Sequence, residues 1–330
     1  MAGAGALGVS PANATPSWQT KVGAETPDHG IQALAFLPND LTVNVNDSIT
    51  WNFQTPEIHT LTLLHGAPVP PDFSTACVTV NGVTDLGPGT YAKVGGGTCP
   101  YIDSGVMAIG QSYTVNFGAP GSFSFICLVH PDMTGTVHVQ PAGVRPPHNQ
   151  AYYDEKGSDQ SFVLLSHGLL NEAIQSHNVA QKPDNITIGK GFFMQTSGGL
   201  QSVLIARFLP SNQQVHVGDT VTWTALDPAT PHTVTLGDEP GNPFARLDES
   251  SFSCAVGGKV TLSAPYPVLR SGTPTVNSGF LGLGGPCGSP TPPDFSGTSF
   301  AVKFTAAGTY QFYCALHDDL GMVGQITVLP

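Results

Sequence analysis

Two sets of residues in this 330-residue chain carry side chains that commonly bind metal ions. Each set contains a histidine, a distant Cys-x-x-His motif and a following methionine. The sets are His59, Cys127, His130 and Met133, and His232, Cys314, His317 and Met322. A cysteine thiolate with two imidazoles and a weak axial thioether is the ligand pattern of blue-copper electron-transfer centres. We therefore predict two type 1 copper ions per chain.

Zinc is the alternative metal for these ligands. It favours closed tetrahedral sites built from stronger ligands, and a thioether is a poor partner for it. A single buried cysteine usually acts as a small apolar side chain. Because the same four ligands recur in the same order, we favour copper, with zinc as an ion that a preformed pocket would accept in a recombinant sample.

The chain contains an internal repeat that includes both sets. The segment IQALAFLPNDLTVNVNDSITW corresponds to VLIARFLPSNQQVHVGDTVTW, and each copy continues to a His-Thr dipeptide. GSFSFICLVHPDM and GTYQFYCALHDDLGM also correspond, and Ser-Gly dipeptides at Ser104 and Ser278 add a further anchor. Two homologous domains follow, residues 18–141 and 188–330.

Apolar and polar residues alternate within each copy. Phe123, Phe125 and Cys127 share one face of a short run that turn residues bound, and the second copy repeats this pattern. Such alternation predicts strands with one buried face. The 39 glycines and 29 prolines argue against a long helical bundle. We therefore predict an all-β chain with two tandem Greek-key β-sandwich domains.

The segment between the domains, residues 142–187, predicts a linker with a short helix. Its start is rich in proline, and Ser161–Val179 has apolar residues at helical spacing. The helix is predicted to pack one domain against the other or to cap an exposed sandwich end, and its apolar residues are Phe162, Leu165, Leu169, Ala173 and Ile174. Residues 1–17 lack the basic and apolar regions of a Sec-type signal, so we interpret them as a flexible tail.

Each copy resembles a cupredoxin, a member of the blue copper protein family. CLVHPDM resembles the short ligand loop of amicyanin, with two residues between histidine and methionine, and CALHDDLGM resembles the plastocyanin loop, with four. IHTLTL and PHTVTL resemble the first-histidine motif of the family. The resemblance covers most of both copies, but not the tail, the linker or the long mid-domain loops.

The resemblance implies an electron carrier or relay that binds redox partner proteins transiently, such as a cytochrome or an oxidoreductase. It also implies that His130 and His317 reach the surface within an apolar patch and act as electron entry and exit ports. Thr60 and Thr233 stand where these proteins usually have asparagine, which tethers the two ligand loops in the family. We expect threonine to tether them less firmly.

The four other cysteines are predicted to form one disulfide in each domain, Cys77 with Cys99 and Cys254 with Cys287. Each bridge would staple a long, glycine-rich insertion. Disulfides persist in oxidising compartments, so we predict a periplasmic or extracellular protein. Four free thiols in a cytosolic protein are the alternative.

Some proteins that resemble cupredoxins and have more than one domain are enzymes. Copper nitrite reductases and multicopper oxidases are the two classes. Those enzymes place a histidine directly beside the blue-site cysteine. The neighbours of the two cysteines here are instead Ile126, Leu128, Tyr313 and Ala315, and no His-x-His pair occurs. We therefore predict no catalytic residues. A nitrite reductase-like or oxidase-like enzyme and a copper storage or delivery protein stay as alternatives.

The charge balance restricts the partners further. The formal net charge is -12 and the acidic excess includes no basic stripe, which argues against nucleic acid binding. The apolar runs are shorter than the roughly 20 residues of a membrane span, so no transmembrane segment is predicted. An acidic protein favours a redox partner with a basic patch. The sequence does not define the oligomeric state.

Overall fold

A computed structural model of the protein describes residues 16–70, 73, 76–130, 132–180, 182, 184–228, 230–236, 259–262, 276–278, 281–282 and 299–330. The first half of the chain contains the strands β1 Ser17–Glu25, β2 Ile31–Leu37, β3 Asp40–Asn44, β4 Ser48–Phe53, β5 Thr62–Leu63, β6 Val83–Asp85, β7 Tyr91–Ala92, β8 Thr98–Cys99, β9 Ile102–Asp103, β10 Ser112–Phe117, β11 Gly121–Ile126 and β12 Thr134–Gln140. The helix α1 spans Gln150–Ala180. The second half contains β13 Asn185–Gln195, β14 Leu200–Leu209, β15 Asn212–His216, β16 Thr220–Leu226, β17 Thr235–Leu236, β18 Lys259–Leu262, β19 Val276–Asn277, β20 Ser299–Phe304, β21 Gly308–Tyr313 and β22 Val323–Leu329.

The strands form two β-sandwiches that share one sheet. A ten-stranded sheet has the order β18-β20-β16-β13-β14-β2-β1-β4-β10-β6, so each half of the chain supplies one half of it. A five-stranded sheet, β3-β12-β11-β5-β9, completes the first sandwich. The sheet β15-β22-β21-β17-β19 completes the second in the same way. The predicted all-β architecture of two tandem sandwiches is confirmed.

The two halves of the long sheet join where β2 pairs antiparallel with β14, with Ala33 opposite Val203. Every residue of β2 is buried. One face of it lies inside the sandwich, and the other face lies beneath α1. The cluster under the helix comprises Ile31, Ala33, Ala35, Leu37, Leu164, Val203 and Ile205. Continuous pairing and this shared cluster hold the two sandwiches together.

The predicted helix is present but begins eleven residues before Ser161. Asn149 caps it, because its side-chain oxygen accepts a hydrogen bond from the Tyr152 N–H at 3.0 Å. The Tyr153 hydroxyl donates to the Thr42 carbonyl at 2.7 Å and anchors the first turn. These turns are polar, so apolar spacing alone did not include them. Among the described residues, no helix has the length and hydropathy that crossing a membrane requires.

The packing face of α1 agrees with the prediction at Leu165, which packs against the cluster under the helix, but differs from it elsewhere. Phe162 and Leu169 are exposed, whereas Leu164 is buried together with two glycines. A Cβ on Gly157 would lie 2.7 Å from the carbonyl oxygen of Leu37. The helix therefore approaches the sheet closely through residues without side chains, which an apolar pattern does not detect.

Each sandwich core contains an equivalent Trp–Phe pair near its Cys-x-x-His loop. Trp51 and Phe125 meet edge to face with ring centroids 5.5 Å apart, and Trp223 and Phe312 meet at 5.3 Å. All four side chains are fully buried. Such aromatic contacts fix the side-chain positions of a core more firmly than apolar area alone. They anchor the ends of β11 and β21, from which the chain enters the candidate sites.

Candidate metal centres

The first candidate centre lies where the β11–β12 loop meets the segment before β5. Cys127 directly follows β11, His130 lies on the loop, and His59 precedes β5. The Nδ1 atoms of His59 and His130 lie 3.9 and 3.7 Å from the Cys127 Sγ. The two Nδ1 atoms lie 3.2 Å from each other. All three side chains are buried, so three donor atoms converge away from solvent.

The second candidate centre repeats this geometry. Cys314 directly follows β21, His317 lies on the β21–β22 loop, and His232 precedes β17. The Nδ1 atoms of His232 and His317 lie 3.9 and 3.3 Å from the Cys314 Sγ. In both centres the candidate ligand atoms lie within 4.8 Å of one another. The structure thus brings together the predicted histidines and cysteine of each set.

The two predicted methionines lie at the ends of the same loops. Met133 and Met322 are fully buried, and each belongs to the same core cluster as its cysteine. The Cys127 N–H donates to the Met133 carbonyl at 2.9 Å, and the Cys314 N–H donates to the Met322 carbonyl at 3.0 Å. These hydrogen bonds close each ligand loop and place the backbone of the methionine beside that of the cysteine.

Thr60 and Thr233 tether the two ligand segments. The Thr60 N–H donates to the Cys127 Sγ at 3.3 Å, and its hydroxyl oxygen accepts from the Leu128 N–H at 2.7 Å. Thr233 makes the equivalent bonds at 3.3 and 2.8 Å. Threonine therefore supplies both a thiolate donor and a loop-to-loop bond at the position where the related proteins usually have asparagine.

The electrostatics of the buried sets favour a charged thiolate. Burial alone raises the pKa of a thiol because the charged form loses its hydration. At Cys127 the hydrogen bonds with His130 and His59 outweigh burial and bring the thiol pKa well below its usual range. At Cys314 the positive charge of His317 leads the opposing effects, and the pKa is again well below its usual range. A thiolate is the form that binds metal ions.

The histidines respond in the opposite direction. Burial acts to lower the pKa of His130, but Cys127 and Glu57 outweigh it and raise the pKa to about 10. Burial likewise opposes the charge on His232, whose pKa Asp227 and Cys314 raise to about 9. The imidazoles of His130 and His232 therefore face a negative group on both of their nitrogens, a thiolate at Nδ1 and a carboxylate at Nε2.

Two carboxylates that the sequence analysis did not identify hold the Nε2 atoms. Asp227 is buried, and its Oδ2 lies 3.2 Å from the His232 Nε2. Glu57 lies 3.4 Å from the His130 Nε2 through Oε1 and 3.9 Å from the His317 Nε2 through Oε2. The sequence held a signal for both, because each is a carboxylate within the few residues before a ligand histidine. Such a carboxylate is noticeable in a chain where only 10% of residues are charged.

The expectation that His130 and His317 reach the surface is wrong for this structure. Their exposed fractions are 2% and 3%. Both imidazoles contact Glu57, so the faces expected to receive partner proteins are directed towards each other across the domain boundary. A resemblance to single-domain proteins could not reveal this, because the second domain covers the site only after the two sandwiches join.

The first predicted disulfide is present. Cys77 and Cys99 are bonded, with their Cα atoms 5.6 Å apart, and the bridge staples the insertion between β5 and β9. Cys254 and Cys287 lie outside the described residues. Among the described residues the free cysteines are Cys127 and Cys314, the two candidate ligands.

The donor atoms fit copper by their chemistry. Each centre offers one thiolate and two imidazole Nδ1 atoms, a combination that soft transition metals such as copper accept. The carboxylates hold Nε2 on three of the four histidines, which leaves Nδ1 for a metal ion. The fold and the sites together define a tandem β-sandwich protein with two buried thiolate–imidazole centres.

Comparisons with known proteins show which family parts of the chain resemble. The profile of the copper binding proteins of the plastocyanin/azurin family matches residues 26–140 and 292–329, one segment in each sandwich. A part of each sandwich is therefore similar to this family, the cupredoxins. The predicted family and the tandem arrangement are confirmed.

Individual relatives match shorter parts of the chain. Plastocyanin of Vicia faba is 56% identical over 32 residues, which is 10% of this chain and 32% of the relative. Plastocyanin of Daucus carota is 51% identical over 35 residues, or 11% and 36%. The chain thus spans about a third of the length of these plastocyanins. An oxidised amicyanin variant matches 38% of this chain and 82% of its own at 18% identity, with a TM-score of 0.25. A fern plastocyanin variant matches 44% and 99% at 20% identity, with a TM-score of 0.23.

Proposed function

We propose that this protein transfers electrons through two copper centres. The ligands of the centres are His59, Cys127, His130 and Met133, and His232, Cys314, His317 and Met322. When bound, copper supplies a one-electron couple between its cuprous and cupric states. The observation that carries the proposal is the convergence of one Sγ and two Nδ1 atoms in a buried pocket, twice in one chain.

The surrounding residues keep each pocket fixed and dry. The cysteine and both histidines of each centre are buried, so water has little access to the donor atoms. Thr60 and Thr233 bond the two ligand segments to each other. A pocket that changes little between two oxidation states suits electron transfer, because little has to reorganise when the charge changes. The same enclosure disfavours substrate binding at the metal.

We further propose that the two centres relay electrons between separate redox partner proteins, such as a cytochrome or an oxidoreductase. The net charge of -12 favours partners with a basic docking patch. Such complexes are transient and have small interfaces. Because His130 and His317 are covered, the partners would approach other surfaces of the two domains.

We propose a periplasmic or extracellular location for the protein. The Cys77–Cys99 disulfide supports this, since disulfides persist in oxidising compartments. The two thiols outside this bridge in the described residues are those assigned to metal binding. Free thiols at Cys77 and Cys99 in protein purified from its native source would argue for a reducing compartment instead.

The first test is the copper content of the full chain together with its visible absorption. We expect two coppers per chain and an intense thiolate-to-copper band that disappears on reduction. The zinc-loaded chain is the matched control, because it has the same fold and ligands but no such band. One copper or none, without the band, would overturn the proposal.

Two other outcomes would favour the alternative functions. A third copper together with turnover of nitrite or oxygen would indicate a copper enzyme. Rapid copper exchange from a colourless cuprous resting form would indicate storage or delivery. Both outcomes contradict electron transfer as the main role of the two centres.

A further inference from the structure

A single carboxylate touches both candidate centres. Glu57 lies on the loop between β4 and β5, two residues before the ligand His59. Its Oε1 lies 3.4 Å from the Nε2 of His130, in the same domain, and its Oε2 lies 3.9 Å from the Nε2 of His317, in the other domain. Among the described residues, Glu57 is the one whose side chain forms an ion-pair contact with a ligand histidine of each centre.

The hydrogen-bonding capacities at this junction match. His130 and His317 direct Nδ1 towards their cysteines, at 3.7 and 3.3 Å. A neutral imidazole that uses Nδ1 as a metal ligand carries its proton on Nε2 and can only donate there. An ionised carboxylate only accepts, and it has two oxygens. Glu57 therefore offers one acceptor oxygen to each imidazole.

The junction is also largely removed from solvent. The Glu57 side chain is 11% exposed, and the two imidazoles are almost fully buried. A carboxylate in such a place is stable only when charged or hydrogen-bonding partners compensate for its lost hydration. The contacts with His130 and His317 provide that compensation. The carboxylate therefore has a defined position between the two centres.

The second domain has Thr230 at the equivalent position, two residues before its first histidine. Its carboxylate before the first histidine is Asp227, which contacts His232 within the same centre. Among the described residues, Glu57 is the carboxylate with ion-pair contacts to both His130 and His317, and it contacts the second centre from the first domain. A residue whose purpose was to orient one histidine would not need to reach across the domain boundary.

We propose that Glu57 couples the two copper centres by joining His130 to His317 in one path for electron transfer between the domains. The inference rests on the proposed function. With copper in both centres, an electron lost by one would be gained by the other, while Glu57 would keep its charge and its contacts with both histidines. No proton leaves the path. Glu57 is a positioning residue, because it acts through the two histidines.

The test uses the full, copper-loaded chain and the variants Glu57→Gln and Glu57→Asp. One centre is reduced by a short pulse, and the redistribution of the electron within the chain is followed as a concentration-independent phase. Glutamine keeps the size of the side chain but has only one acceptor oxygen. We expect it to slow this phase by about tenfold or more. Aspartate keeps the charge but shortens the reach, and we expect an intermediate rate.

Two further measurements separate coupling from a merely structural role. Loss of the negative charge in Glu57→Gln should raise the reduction potentials of both centres together. In the diamagnetic cuprous chain, the Nε2–H proton signals of both His130 and His317 should shift. The exposed helix residue Glu155, replaced by glutamine, is the control for loss of one charge, and it should change none of these quantities.

The outcomes distinguish this inference from the proposed function. If the wild-type chain lacks two thiolate bands, the proposed function has failed. If the bands are present but Glu57→Gln keeps the wild-type redistribution rate and both potentials, the coupling role is wrong. A shift of the signal of only one histidine would also overturn the bridge.

Discussion

The two candidate centres have the same ligand types but differ in what holds their first histidine. His232 has Asp227 at 3.2 Å from Nε2, whereas the buried Nε2 of His59 has no hydrogen-bond partner among the described residues. Thr55 occupies the equivalent position in the first domain, because it lies four residues after Trp51 and Asp227 lies four residues after Trp223. Its buried hydroxyl also has no hydrogen-bond partner among the described residues. A carboxylate on the remote nitrogen fixes the tautomer and raises the basicity of a ligand imidazole. With copper bound, we therefore expect the second centre to favour the cupric state more than the first.

A second difference lies near the cysteines. In the first domain the Thr62 hydroxyl donates to the buried carboxylate of Asp103 at 3.0 Å. In the second, the buried amide of Asn277 donates to the Thr235 hydroxyl at 2.7 Å. Among the described residues, the first centre thus has a titrating group, Asp103, at the position where the second centre has the amide of Asn277. The comparison shows that ligand motifs define the kind of centre, while the polar neighbours make the two centres unequal.

The largest expected effect separates the two centres. Cys127→Ser should abolish the thiolate band of the first centre and leave that of the second, and Cys314→Ser should do the reverse. The reason is that the band requires the thiolate of the same centre. The measurement is the visible spectrum of each copper-loaded variant, with Met194→Leu, remote from both sets, as the control. Loss of both bands in one variant would mean that the centres do not form independently.

Removal of the carboxylate on His232 should make the centres more alike. Asp227→Asn keeps an acceptor for Nε2–H but removes the charge, so we expect the reduction potential of the second centre to rise. The expected change is about tenfold in the electron distribution between the centres, or roughly 59 mV for a one-electron couple. Redox titration followed in the visible range measures it.

Thr55→Val is the matched control for this comparison. The Thr55 hydroxyl has no partner in the described part of the chain, so its removal should leave both potentials unchanged. Equal potentials in the wild-type chain, or no response to Asp227→Asn, would contradict the proposed difference between the centres.

The smallest effect is a pH dependence confined to the first centre. Burial raises the pKa of Asp103 to about 6, against hydrogen bonds from Thr62 and Gly105, and the charge of Cys127 adds to the rise. As the pH rises through about 6, Asp103 becomes negative and the reduction potential of the first centre should fall. The second centre, with Asn277, should show no such step. Redox titrations between about pH 5 and 7 measure both.

The same group makes a prediction for stability with a defined sign. The folded pKa of Asp103 lies above the ordinary aspartate value of 3.8, so the folded chain binds more protons between these pH values. The free energy of unfolding contributed by this group therefore decreases as the pH rises from about 4 to about 6. Asp103→Asn should remove that decrease in chemical unfolding experiments. An unchanged pH profile in the variant would contradict the assignment.

The ligand sets could be predicted from the sequence because their pattern is local. Cys127 and His130 lie three residues apart at a strand end, and the repeat presents the same spacing again at Cys314 and His317. Period-two alternation before each cysteine indicated the strand that carries it. The sandwich fold followed from the same alternation, and the disulfide partners Cys77 and Cys99 followed from their shared insertion.

The junction between the domains could not be predicted in this way. The β2–β14 pairing depends on two apolar strand edges that meet only after folding, and IQALAFL gives a hint of it by its lack of alternation. Glu57 and Asp227 lie in loops, where no periodicity indicates which way a side chain points. The covered position of His130 and His317 follows from that junction, and a local motif does not contain it.

The most direct test of the account is copper-edge anomalous diffraction from crystals of the copper-loaded chain. We predict two anomalous peaks per chain, one within the His59–Cys127–His130 set and one within the His232–Cys314–His317 set. The Glu57 carboxylate should lie between the two sets and contact His130 and His317. A single peak, a peak at Glu57 itself, or a Glu57 side chain turned away from either histidine would contradict the account of two centres coupled across the domain junction.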